Sequence, residues 1–191
     1  GMPVGPIELM DEIGIDVGYK VAKILEGAYG ERMRVASILG KAKEKGLLGK
    51  KSRVGFYLHD KKSKRPNKDI YKIASSPSAP RTDGGGASRP RNDERGASRP
   101  RNDDESALKR MIYVMINEAA RCLEEKVVDR PQTVDIGMIM GTGFPPFKGG
   151  LLRYADSIGL ENIMKDLCAF EKELNTPRFK PCDRLVEMAK N

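Results

Sequence analysis

The 191-residue chain carries 35 Lys and Arg against 27 Asp and Glu, a net charge of +8, with 39% hydrophobic residues, no Trp, one His and three Cys. That length holds one ordinary domain or two small ones. No apolar run approaches the roughly 20 residues that span a bilayer, and the opening residues hold no basic-then-apolar leader, so neither a membrane span nor a secretory signal is expected. Cys122, Cys168 and Cys182 form an odd set without C-x-x-C spacing. They argue against a disulfide framework and against a zinc site, and they point to reduced thiols in a cytoplasm-like compartment; no metal-binding residue is expected.

In chain order, Gly5-Pro6 sets a proline at the first position of a helix, where a missing N–H costs nothing, and Gly14 closes that helix after Ile13. Asp16 is expected to cap a second helix in which Val17, Val21, Ile24 and Leu25 recur at helical spacing up to Gly30. A third helix is expected over 35–45, ending at Gly46, and 54–58 reads as a short extended piece. Gly46 to Ser52 lacks the glycine spacing of a P-loop and is discounted as a phosphate cradle. His59 precedes Asp60 and a basic run, so it reads as exposed; no third group completes a catalytic set around it, and it is given little weight as a base.

Residues 60–110 hold 14 basic and 8 acidic residues, so most of the net charge sits there. Within them, 75–106 contains no Val, Ile, Leu, Met, Phe, Tyr or Cys. Such a segment cannot bury enough apolar surface to offset its ordering entropy and is expected to be disordered. It contains the octapeptide GASRPRND twice, at 86–93 and 96–103. Arg89, Arg91, Arg99 and Arg101 could pair with phosphates, but interleaved acids and the lack of aromatics for stacking weigh against nucleic acid as a partner.

After the insert, Ser106 is the expected N-cap of a long helix with Leu108, Ile112, Met115, Ile116, Ala119 and Leu123 on one apolar face. Asn117-Glu118 within it reads as a buried polar pair capping a neighbouring loop. Arg130-Pro131 punctuates, a helix over 134–140 ends at Gly141, and residues 143–147 (GFPPF) form a rigid loop because two prolines fix φ. Helices follow over 151–158, 161–174 and 181–190. Met111, Met115, Met138, Met140 and Met164 read as core filler.

A weak repeat links the two ends of the chain. At an offset of 145, Gly5, Asp11, Ile13 and Gly14 fall on Gly150, Asp156, Ile158 and Gly159. The expected fold is all-α: a first helical repeat (1–74), a disordered polar insert (75–106) and a second helical repeat (107–191).

The strings GMPVGPIELMDEIGIDV (1–17), MINEAARCLEE (115–125) and VDIGMIMGTGFPPFKGG (134–150), followed by LLRYAD (151–156) and RFKP (178–181), resemble the C-terminal domain of 3-hydroxyacyl-CoA dehydrogenases, as found in multifunctional fatty-acid oxidation α-subunits. The resemblance covers both repeats and excludes the insert. It implies an oxidoreductase that turns (3S)-3-hydroxyacyl-CoA into 3-ketoacyl-CoA in β-oxidation by passing hydride to NAD. It also implies that NAD and the catalytic His–Glu pair belong to a Rossmann domain whose G-x-G-x-x-G fingerprint does not occur in this sequence. The chain is therefore expected to be inactive alone, to hold no cofactor and no catalytic residue, and to begin part-way through its first copy. Its expected role is the acyl-CoA side and the self-association of the parent enzyme, with a thiolase subunit as a further partner. The site residues implied are Pro3, Gly5, Pro6, Glu8 and Leu9, where a rigid loop aims a helix N-terminus suited to a thioester carbonyl or phosphate; the alternative is that this loop, like 144–147, simply turns the chain between packed helices. The reading from another class is a non-catalytic helical module whose basic insert binds an acidic partner.

Overall fold

Glycine and proline set the chain's turns before packing does. In the computed structural model, which describes residues 2–60, 63–75 and 101–190, Pro6 opens α1 (Pro6–Ile13) behind an extended Gly5, and Gly14 closes it at φ 98°. A side chain at that φ would be strained, so Gly14 can turn directly into α2 (Ile15–Tyr29), which ends at Gly30. A 3-10 turn (Gly30–Met33) and α3 (Ser37–Glu44) follow. The chain then forms a small antiparallel hairpin, β1 (Tyr57–His59) against β2 (Lys64–Pro66), with Leu58 opposite Arg65. Asn67 caps α4 (Lys68–Ser75) by accepting from the Asp69 N–H.

The second half runs α5 (Arg101–Glu124), α6 (Pro131–Thr142), α7 (Leu151–Ile158), α8 (Leu160–Leu174) and α9 (Asp183–Met188). Its core joins Tyr113, Ile116 and Ala120 of α5 to Leu151, Leu152 and Ala155 of α7, Ile163, Leu167 and Phe170 of α8, and Leu185 of α9. The first half holds a smaller core of Ile15, Ala42, Phe56 and Ile70.

The offset of 145 is visible in three dimensions. It carries α1 onto α7 and α2 onto α8 residue for residue at both ends. The linking glycines also share a conformation, Gly14 at φ 98°, ψ 130° and Gly159 at φ 91°, ψ 119°.

Several expectations are corrected. Asp16 does not cap α2: Gly14 holds that position, and Asp16 sits in the first turn, paired with Lys51. Ser106 is not an N-cap, because α5 begins at Arg101 and the Ser106 hydroxyl accepts from the Arg110 guanidinium. Periodicity of apolar residues cannot register an extra polar turn. The helix over 134–140 extends to Pro131–Thr142, since proline is pre-organised for its first position. Leu108, Met111 and Met140 are exposed, Met140 at 82%; Met115 and Met138 do pack on the core. The duplicated octapeptide lies largely outside the described residues.

Candidate substrate-side site

Residues 3–9 form the N-terminal rim of α1. Pro3, Gly5, Pro6 and Leu9 are exposed and Glu8 is half-buried, while the Leu9 N–H donates to the Gly5 carbonyl at 2.9 Å. The loop does not stand alone. A Cβ at Gly143 would lie 2.7 Å from Cδ of Pro3, so the two proline loops, one from each repeat, are in contact. Phe144 behind this junction is buried and lies 6.1 Å from the Tyr154 ring, whereas Phe147 is exposed. The junction thus offers a stiff, apolar rim beside the start of a helix, chemistry suited to an acyl chain and to a thioester carbonyl. The Glu8 carboxylate is bound by Lys64.

Behind the rim lies a feature that sequence reasoning missed. Asp11 is fully buried. Its Oδ1 accepts from the Phe56 N–H at 2.9 Å and its Oδ2 from the Tyr57 N–H at 2.8 Å. His59 Nε2 lies 2.8 Å from the same Oδ2. His59 is not on the surface: its side chain is 12% exposed, and its carboxylate partner is Asp11, 48 residues earlier, rather than Asp60. Two glycines allow the wrap. A Cβ at Gly55 would overlap Asp11 Oδ1 and lie 2.5 Å from Gly49 Cα, and one at Gly49 would lie 2.8 Å from Asp11 Cα. The one hint in the sequence was the identity of Asp11 with Asp156 at the offset of 145, which marks the position but not its partners.

The halves are also joined by charge. The 3-10 turn after α2 places Arg32 Nε 3.3 Å from Glu118, whose other oxygen is 3.4 Å from Arg121 Nε; Arg32 also donates to Glu125 at 2.6 Å. Asn117 caps as expected, donating to the Lys180 carbonyl and accepting from the Cys182 N–H. Glu118 bridges the joint instead of capping a loop. Burial pushes its carboxyl above the ordinary range, against the pull of Arg32 and Arg121. A carboxyl raised by folding binds its proton more tightly in the folded state, so its contribution is greatest in acid and is lost as pH rises through the folded pKa. Glu118→Gln is therefore expected to gain stability relative to the parent between about pH 4 and about pH 7. Urea melts at both values would show the gap widening with pH; a constant gap would contradict the assignment.

Cys122, Cys168 and Cys182 are unpaired thiols. Burial raises the pKa of Cys182, whose Sγ accepts from the Leu185 N–H, and so favours its unreactive protonated form. Among the described residues no group of three His, Cys, Asp or Glu could hold a metal ion, and no helix is long and apolar enough to cross a membrane. The cleft between α5 and α8, lined by Glu105, Lys109, Asp166 and Phe170, shares no residue with the rim.

The chain matches the family description "3-hydroxyacyl-CoA dehydrogenase, C-terminal domain" over residues 1–59 and 107–191, on either side of the polar insert. The fatty acid oxidation complex subunit alpha of Shewanella loihica is 38% identical over 193 residues, and that of Shewanella baltica 37% over 192. These matches take in 100% and 99% of this chain but 24% of each relative, so the chain spans about a quarter of their length. Among solved structures, 3-hydroxybutyryl-CoA dehydrogenase from Escherichia coli K12 superposes with a TM-score of 0.67 at 19% identity, covering 100% of this chain and 52% of that one. The dehydrogenase part of multifunctional enzyme 1 from C. elegans gives 0.58 at 22% identity, covering 96% and 38%. At these identities the structural likeness shows the fold alone.

Proposed function

Because the chain belongs to the family of 3-hydroxyacyl-CoA dehydrogenase C-terminal domains, we propose that it forms the acyl-CoA side of an NAD-dependent (3S)-3-hydroxyacyl-CoA dehydrogenase of fatty-acid β-oxidation. The observation that carries this reading is the contact of Pro3 with Gly143, which joins the two proline loops into one rim. In it, Pro3, Gly5 and Pro6 set the backbone, Leu9 offers apolar surface, and Glu8, held by Lys64, stands beside the helix start.

The described residues do not fit NAD. A dinucleotide cradle needs a strand feeding a glycine turn and a helix N-terminus; the strands among the described residues are the short antiparallel pair β1 and β2. Hydride transfer is therefore assigned to residues outside this chain, and the role of these residues is to bind and orient the acyl-CoA. The domain organisation that goes with this reading is two repeats, 1–74 and 107–191, with 75–106 as an insert. Free thiols support a reducing cytoplasmic setting. The relatives are named as alpha subunits of a complex, which supports a partner subunit; a thiolase is the one the resemblance implies.

The test is complementation. Mixed with the NAD-binding part of a related dehydrogenase, the chain is expected to restore NADH formation from 3-hydroxybutyryl-CoA, and by itself to form none. NADH formation by the chain alone, or none from the mixture once binding of the two parts is shown, would reject the proposal.

A further inference from the structure

Asp11 and Asp156 occupy the same place in the two repeats, yet their surroundings differ. Asp156 is exposed and lies 4.0 Å from Arg153 of its own helix. Its helix, α7, is anchored by Leu151, Leu152 and Ala155, all buried against the second core. The corresponding apolar anchor is weak in α1, where Ile7, the counterpart of Leu152, is exposed. What holds α1 instead is a clip built from residues 48–60 and 63–67.

The clip grips α1 at three levels. Lys64 pairs with Glu8, His59 with Asp11 and Lys50 with Glu12, positions spaced to share one helix face. Lys51 continues the series onto Asp16 at the start of α2. The turn itself is braced by Ser52, whose hydroxyl accepts from the Leu48 N–H, and by the Asn67 amide, which donates to the Gly55 carbonyl. The lysine pairs lie near solvent, where ion pairs contribute little. The His59–Asp11 pair is set apart by depth. Both Asp11 oxygens already accept from backbone N–H groups, so the ring presents Nε2–H to Oδ2.

We propose that His59 is a positioning residue for the substrate-side rim: by donating from Nε2 to Asp11 it fixes α1, and with it residues 3–9, against the hairpin. The inference rests on the acyl-CoA role proposed above, but its first readout does not need that role.

His59→Ala removes the donor, whereas the side-chain amide of His59→Gln can reach the same oxygen. Hydrogen exchange and calorimetric titration with hexanoyl-CoA are compared in the full chain and both variants. In His59→Ala the amides of Phe56, Tyr57 and α1 are expected to exchange about tenfold faster while those of α5 to α8 keep their rates. Hexanoyl-CoA affinity falls about tenfold, and His59→Gln recovers both, as loss and return of one charge-assisted hydrogen bond would give. Ring-nitrogen spectra of the parent should show the proton on Nε2. Unchanged α1 exchange in His59→Ala, a rise shared by every helix that glutamine does not reverse, or unaltered affinity despite loosened α1 would each overturn the proposal. Should the parent chain itself fail to bind hexanoyl-CoA, the acyl-CoA reading fails. The exchange and ring-nitrogen data then decide on their own whether His59 positions α1.

Discussion

Sedimentation equilibrium at micromolar concentration is expected to show the chain as an assembly of copies, and Val21→Glu combined with Ile24→Glu is expected to return it to the monomer. The reason is a stripe on α2. Val17, Val21, Ile24 and Leu25 recur at helical spacing and are all exposed, Val21 at 50% and Ile24 at 71%. Soluble helices of this pattern turn such a stripe inward. The second repeat shows what a solvent-facing version looks like: at the positions of Val17, Val21 and Ile24, α8 carries Asn162, Asp166 and Ala169, with Asp166 paired to Lys109. Val4, Ile7 and Leu9 of the α1 rim are exposed as well. Burying a side chain of this kind is worth about 1.5–3 kcal/mol, so four or five together approach the roughly 8 kcal/mol of micromolar affinity before association costs are subtracted. A monomer that binds no apolar dye and melts sharply would contradict this expectation.

Asp11→Ala is expected to destabilise the first repeat by about 2–6 kcal/mol, roughly 1–3 kcal/mol for each of the two backbone amides left without an acceptor. The change strips the acceptor from the Phe56 and Tyr57 amides and from His59 at once. The core around them is small, with Ile15, Ala42, Phe56 and Ile70 as its buried members, so little else can absorb the loss. Gly55→Ala should act in the same direction, since its methyl would overlap the Asp11 carboxylate and press on Gly49. The repeat supplies the control. Asp156→Ala, at the equivalent exposed position, should stay within about 0.5 kcal/mol of the parent. Equal effects of Asp11→Ala and Asp156→Ala in urea melts would show that the wrap around Asp11 carries no special energy.

The parts of this fold legible in the sequence are those governed by local rules. Pro6, Gly14 and Gly30 set the ends of α1 and α2 because their backbone preferences act within a few residues, and four identities at one offset were enough to relate them to α7 and α8. What escaped is non-local. The hairpin brings His59 back onto Asp11 across 48 residues, a distance over which neither periodicity nor spacing has a signal. The same holds for the meeting of Pro3 with Gly143, and for Arg32 with Glu118. Helix periodicity located the stripe of Val17, Val21 and Ile24 but not its exposure, because periodicity reports that a face is apolar and not what lies against it. The family strings were specific for a different reason: they record the two proline loops in order, one in each repeat.

The function proposed above makes residues 3–9 an acyl-CoA rim and leaves NAD to other residues of the parent enzyme. Amide shift mapping of the isotope-labelled chain tests it most directly, with hexanoyl-CoA and NAD titrated separately. The account predicts that hexanoyl-CoA shifts the amides of Gly5, Glu8 and Leu9 and of Gly143 across the junction, and that NAD shifts none of them. Shifts induced by NAD, or by hexanoyl-CoA only at sites remote from both proline loops, would contradict it.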